Sequence, residues 1–171
     1  MKKIMEMLQN MKAKNEKKDN KGFSLVELII VIAIMAILVG IVGTQVLPYI
    51  NKSKEAKDFQ IINSYGTAAT TAYSSNAEKV KATTTVIMGG TNTDDDTNGK
   101  PALTLQKEIE TLTGYNSINV LKNKMGSDKG EKIEAIKIEI DLGAKTITTQ
   151  AYSDTGCTAG NEIFDKVVTQ L

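Results

Sequence analysis

The stretch Lys21-Gly22-Phe23-Ser24-Leu25-Val26-Glu27-Leu28 decides how this chain is read. A polar, lysine-rich segment stops at Gly22, and an apolar run starts at Phe23 with Glu27 as its one carboxylate. An acidic residue at the centre of a membrane span costs roughly 2.5–3.5 kcal/mol on insertion scales, and somewhat less near the boundary. Eleven Ile, Leu and Val residues lie between Leu28 and Val42. At about 0.3–0.6 kcal/mol each they offset that cost, so the segment can insert with Glu27 in it. Intramembrane carboxylates usually have a partner and a function. The residues alone leave open what Glu27 pairs with.

Phe23 to Gly43 spans 21 residues, about 30 Å of helix, which matches a bilayer core. Ala33, Ala36, Gly40 and Gly43 recur at three and four residues and form a small-residue stripe that permits close helix approach. Gly40 sits about 140° around the helix from Glu27 at the α-helical pitch. The carboxylate and the stripe therefore address different neighbours, which suits a helical assembly better than an isolated anchor. An ordinary secretory signal is cut at small residues after its apolar region and loses that region.

The combination of a basic leader ending in Gly22, then Phe23, then Glu27 five residues past Gly22, then an apolar helix, resembles the processing site of type IV prepilins. The resemblance implies leader cleavage between Gly22 and Phe23 by a membrane prepilin peptidase, and N-methylation of Phe23. It implies that Glu27 neutralises the Phe23 amine of a neighbouring subunit and sets the axial register. It also implies a pilin-like lollipop of the α+β class: a long N-terminal α-helix packed on an antiparallel β-sheet head. The domain reading is then a leader at 1–22, a long helix at 23–75 whose residues 23–43 form the transmembrane part and filament core, and a globular head at 76–171.

Composition agrees with a precursor. Net charge is +1, but residues 1–22 hold seven lysines against three acids, and residues 23–171 hold fourteen against seventeen. A basic flank before an apolar helix sets topology, with the N-terminus in the cytoplasm. All 21 basic residues are lysine, with no Arg and no His. This disfavours bidentate phosphate recognition, histidine catalysis and a nucleic-acid surface on the head. Cys157 stands alone and cannot close an intramolecular disulfide. No nucleophile, base or phosphate loop clusters in the sequence, so an enzyme is not expected and no cofactor is implied.

Past the span, Gly40, Gly43 and Pro48 weaken the helix, and Pro48 is expected to open it locally. Phe59, Ile62, Gly66, Ala69 and Tyr73 then recur at helical spacing and predict a face that packs on a sheet, leaving Lys52, Lys54, Glu55, Lys57 and Asp58 exposed. Thr83 to Met88 reads as a short strand. Asp94, Asp96, Asn98 and Gly99 match the first half of an EF-hand loop, but the twelfth position is Leu105, so a solvated acidic loop is the better reading and a metal the weaker one. Pro101 to Gly114 predicts a helix with Leu105, Ile109 and Leu112 on one face. Ile118 to Leu121 reads as a strand. Ile136, Ile138 and Ile140 alternate with charged residues, and with Thr146 to Tyr152 they predict a hairpin. Asn161 is read as the cap of a final helix carrying Ile163, Phe164, Val167, Val168 and Leu171, with a last strand as the alternative.

The resemblance thus implies a subunit of an extracellular adhesive or motility filament. Its partners would be further copies, the prepilin peptidase, the assembly machinery and, before assembly, the inner membrane. A type II secretion pseudopilin and a competence pilin share this N-terminus. A monomeric membrane-anchored protein is the reading from outside that group.

Overall fold

A computed structural model of the chain describes residues 5–6, 24–92, 99 and 101–171. The chain divides into two compact units, Met1–Leu47 and Pro48–Leu171. In order, the elements are α1 (Leu25–Ile41), a π-helical turn (Val42–Val46), α2 (Leu47–Asn76), β1 (Thr84–Met88), α3 (Ala102–Thr113), α4 (Ile118–Lys122), a 3-10 turn (Gly130–Lys132), β2 (Ala135–Asp141), β3 (Thr146–Tyr152) and β4 (Val167–Gln170).

In the first unit, α1 has no buried residue. Its apolar side chains point outward all round, Val31 being 45% exposed and Leu25 72%. A helix that is apolar on every face needs an apolar environment outside itself. The π turn follows directly, just ahead of Pro48. Proline has no N–H for the carbonyl four residues back, and the widened turn absorbs that break. The expected local opening is present, one turn N-terminal to the proline. The Thr44 hydroxyl donates to the Gly40 carbonyl at 3.0 Å, a back-bond that commonly accompanies such distortions.

The second unit is α+β, with α2 laid on a four-stranded antiparallel sheet of order β1-β2-β3-β4. Ile62, Tyr65, Ala68, Ala69 and Ala72 of α2 share one core with Val86, Ile136, Ile138, Ile140 and Ile147 from the strands. Small residues on α2 let it sit close to the sheet. A Cβ on Gly66 would lie 3.5 Å from Val167 and 3.6 Å from the Thr149 hydroxyl. The expected hairpin forms, with Ile138 opposite Thr149 and Ile140 opposite Ile147. The Asp141 carboxylate accepts the Gly143 and Ala144 N–H groups and shapes its turn. α3 forms as expected and ends on Gly114, whose φ of 74° is the left-handed cap that glycine adopts without strain.

Four expectations are corrected. Ile118–Lys122 is a helix rather than a strand: the Ser117 hydroxyl caps it by accepting the Val120 N–H. A short apolar run does not distinguish the two states, and the cap decided it. The C-terminal segment is strand β4, paired antiparallel with β3, rather than a helix. Its Val-Val-Thr run is β-branched and the free edge of β3 supplies a partner, so pairing overrides the helical spacing. Leu112 is 49% exposed, off the buried face that Leu105 and Ile109 share. Asp58 is fully buried rather than exposed, and Glu55 is half-covered in an ion pair with Lys129 at 2.8 Å.

The segment between β3 and β4 closes without a disulfide. Ser153 N–H donates to the Asn161 carbonyl at 2.9 Å, and Tyr152 pairs with Glu162. The Asp154 carboxylate accepts the Thr158 N–H and hydroxyl. These bonds favour the charged form and hold the Asp154 carboxyl's pKa below the ordinary carboxylate range. The Gln150 amide donates to the Phe164 carbonyl at 2.5 Å, and Phe164 stacks obliquely on Phe59 of α2 with ring centroids 6.2 Å apart. Cys157 is half-buried with φ 50°, and burial pushes its thiol above the usual range.

Candidate functional site

Ser24 is extended, with φ −64° and ψ 139°, and Leu25 begins the helix. This makes Glu27 the third helical residue, the position from which a glutamate reaches back to the cap. Its carboxylate does so, accepting the Ser24 N–H at 2.8 Å. Two effects favour the charge there. The bond satisfies one of the helix's four orphan N–H groups, and the positive end of the helix dipole faces the carboxylate. Glu27 therefore has a partner within its own chain. A carboxylate keeps further lone pairs for a second donor, such as an ammonium group.

The site is a charged cap on a helix whose other residues offer only apolar or small surface. Apart from their chain neighbours and the backbone of their own helix, Gly40 and Gly43 have no atom within 4 Å of the place a Cβ would occupy. Their surface is open to a neighbour. Gly22 and Phe23 lie outside the described residues, so the proposed scissile bond has no geometry here. The same holds for Asp94, Asp96 and Asn98. Gly99 is described: its φ is 69° and its carbonyl accepts the Lys81 N–H at 2.9 Å. Among the described residues, no group of three His, Cys, Asp or Glu side chains could hold a metal ion.

Sequence reading missed the most heavily bonded carboxylate among the described residues, Asp58. It accepts the Gly126 N–H at 3.0 Å, the Ser127 N–H at 2.8 Å and the Ser127 hydroxyl at 2.5 Å. Gly130 packs against it too closely for any side chain. The signal was present, since Asp58 stands four residues before Ile62 on the face that α2 buries. Asn92 was missed as well. Its side chain accepts the Ile87 N–H at 2.7 Å and donates to the Ile87 carbonyl at 2.8 Å, occupying the outer edge of β1.

Residues 17–43 match the family model described as the prokaryotic N-terminal methylation motif. The matched stretch contains Gly22, Phe23 and Glu27 and ends at the last glycine of the small-residue stripe. No curated protein and no solved structure matches the chain. The motif supports a type IV pilin-like or pseudopilin precursor with a class III signal peptide. The helical run that begins at Leu25 is long and apolar enough to cross a membrane, which fits the membrane-anchored state of such precursors.

Proposed function

We propose that this chain is a prepilin whose mature form is a structural subunit of a type IV pilus, acting in adhesion or surface motility and not as an enzyme. The observation that carries the reading is Glu27, placed at the third helical residue of a wholly exposed apolar helix inside the methylation motif. Prepilin peptidase cuts between Gly22 and Phe23 and the new amine is methylated. The subunit waits as a single-pass protein of the cytoplasmic membrane. The assembly machinery then moves it into an extracellular filament. Burying the apolar helix among copies of itself replaces the lipid, and the Phe23 amine of a neighbour shares Glu27 with the Ser24 N–H.

Mass spectrometry of the mature N-terminus tests the first step: methylated Phe23 is expected, and an intact Met1 overturns it. Electron microscopy of sheared surface material tests the second. Glu27→Ala is expected to be processed normally and to form no filaments; filaments at wild-type level would sink the assembly role.

A further inference from the structure

The first three turns of α2 carry groups that the packing of the head leaves unused. Tyr49 is 73% exposed and Ile50 45% exposed. Lys52, Lys54 and Lys57 are exposed, and none has an ion-pair partner among the described residues. The two carboxylates of the same stretch are both drawn into the head. Asp58 is buried against the amides of Gly126 and Ser127, and Glu55 pairs with Lys129. What remains at the surface is an aromatic ring followed by three unpaired positive charges.

Their arrangement narrows the partner. At about 100° per residue, Lys54 lies roughly 200° and Lys57 roughly 140° around the helix from Lys52. Lys54 and Lys57 lie within about 60° of each other and Lys52 lies on the other side of the helix, so a partner protein docked on one side would leave some of them unmet. A layer of headgroup phosphates meets them all. Chain length points the same way. No charged residue stands between Glu27 and Lys52, and as helix this interval runs about 36 Å against a hydrocarbon core of about 30 Å. The surplus falls in the interfacial layer, where tyrosine rings collect and lysine stems extend toward phosphate. Juxtamembrane lysines attract anionic lipid when no acidic neighbour cancels them.

We propose that Tyr49 to Lys57 is a membrane-interface anchor. Tyr49 sits at the headgroup boundary and Lys52, Lys54 and Lys57 hold the phosphates of anionic lipids in the leaflet from which the head emerges. The anchor rests on the reading of α1 as a membrane span and is independent of filament assembly. It fixes the depth of the waiting subunit, and assembly must break these lipid contacts.

The chain has no tryptophan, so Tyr49→Trp in the full-length protein gives a single reporter. It is reconstituted in phosphatidylcholine vesicles containing phosphatidylglycerol, with bromine on one lipid at a time, near the carbonyl or near the chain end. The expected result is strongest quenching by bromine near the carbonyl, and severalfold more by the anionic than by the zwitterionic lipid. Lys52→Gln/Lys54→Gln/Lys57→Gln in the same background should lose the anionic preference and keep the depth. Equal quenching by the two lipids, or none in a chain that floats with the vesicles, overturns the anchor and leaves the span standing. Failure to float removes the span and the anchor with it.

Discussion

The Asp58 carboxylate and Ser127 form a buried pair that ties α2 to a loop 69 residues away, through the Ser127 N–H at 2.8 Å and its hydroxyl at 2.5 Å. The hydroxyl also accepts the Gly130 N–H at 3.0 Å. A buried carboxylate met by amide and hydroxyl donors replaces lost water without needing a counter-ion. Asp58→Ala strands those donors and is expected to cost the head about 3 kcal/mol. Ser127→Ala removes one charge-assisted bond and one acceptor, for about half that loss. Urea unfolding of the detergent-solubilised protein, followed by tyrosine ellipticity, measures both; a loss below experimental scatter for Asp58→Ala contradicts the assignment.

Gly66 lies where α2 crosses β3 and β4, yet its added Cβ would meet its neighbours at 3.5 to 3.7 Å, ordinary contact distances. Gly66→Ala should therefore stabilise the head by roughly 0.5–1 kcal/mol through helix propensity. Gly66→Leu should destabilise it, because the sheet leaves no room for more than a methyl. The two midpoints should move in opposite directions in one denaturation series.

The neighbouring Thr149 hydroxyl is buried and has no hydrogen-bond partner among the described residues. Unpaired buried hydroxyls cost about 1–3 kcal/mol. Thr149→Val keeps the shape and removes the polar group, so a rise in stability of about 1 kcal/mol is expected. A fall would show that the hydroxyl contributes through a bond in solution.

Asn92 occupies the outer edge of β1 at Ile87 and is itself held by Gln106, to which it donates at 2.8 Å. Exposed strand edges invite pairing with other chains. Asn92→Ala frees the Ile87 N–H and leaves the Ile87 carbonyl with only the Gly90 N–H at 3.4 Å. It should lower stability by about 1–2 kcal/mol and raise the aggregated fraction in light scattering of the solubilised protein. Loss of stability without aggregation would separate the bonding role from the protective one.

Burial pushes the Tyr65 phenol well above its usual 10.0, with Thr113 a smaller, opposing influence. The folded chain then keeps this proton to higher pH than the unfolded chain. The corresponding stability is intact below pH 10.0 and is lost progressively as pH rises from there through the raised pKa of the folded chain. Tyr65→Phe should flatten the alkaline limb of a stability profile relative to wild type. An unchanged limb would show that other groups carry the alkaline loss.

Some of this protein was legible residue by residue. Local chemistry fixes the span, because an unbroken apolar run acts within its own helix; the Ser24–Glu27 cap and the start of α1 at Leu25 were seen only in the structure. Strict alternation at Ile136, Ile138 and Ile140 identified β2, and Gly114 marked the end of α3, since each reports its own backbone state. Asp58, Leu112, Ile118–Lys122 and the C-terminal strand were not legible in this way. Asp58 is buried because a loop 69 residues away supplies its donors. Val167–Gln170 is a strand because the edge of β3 was unpaired. The sequence by itself determined the N-terminal motif and the membrane-capable helix, whose energies come from neighbours in the chain. The tertiary structure alone decided which polar groups are buried and how the sheet ends, because those energies come from partners brought together only when the chain folds.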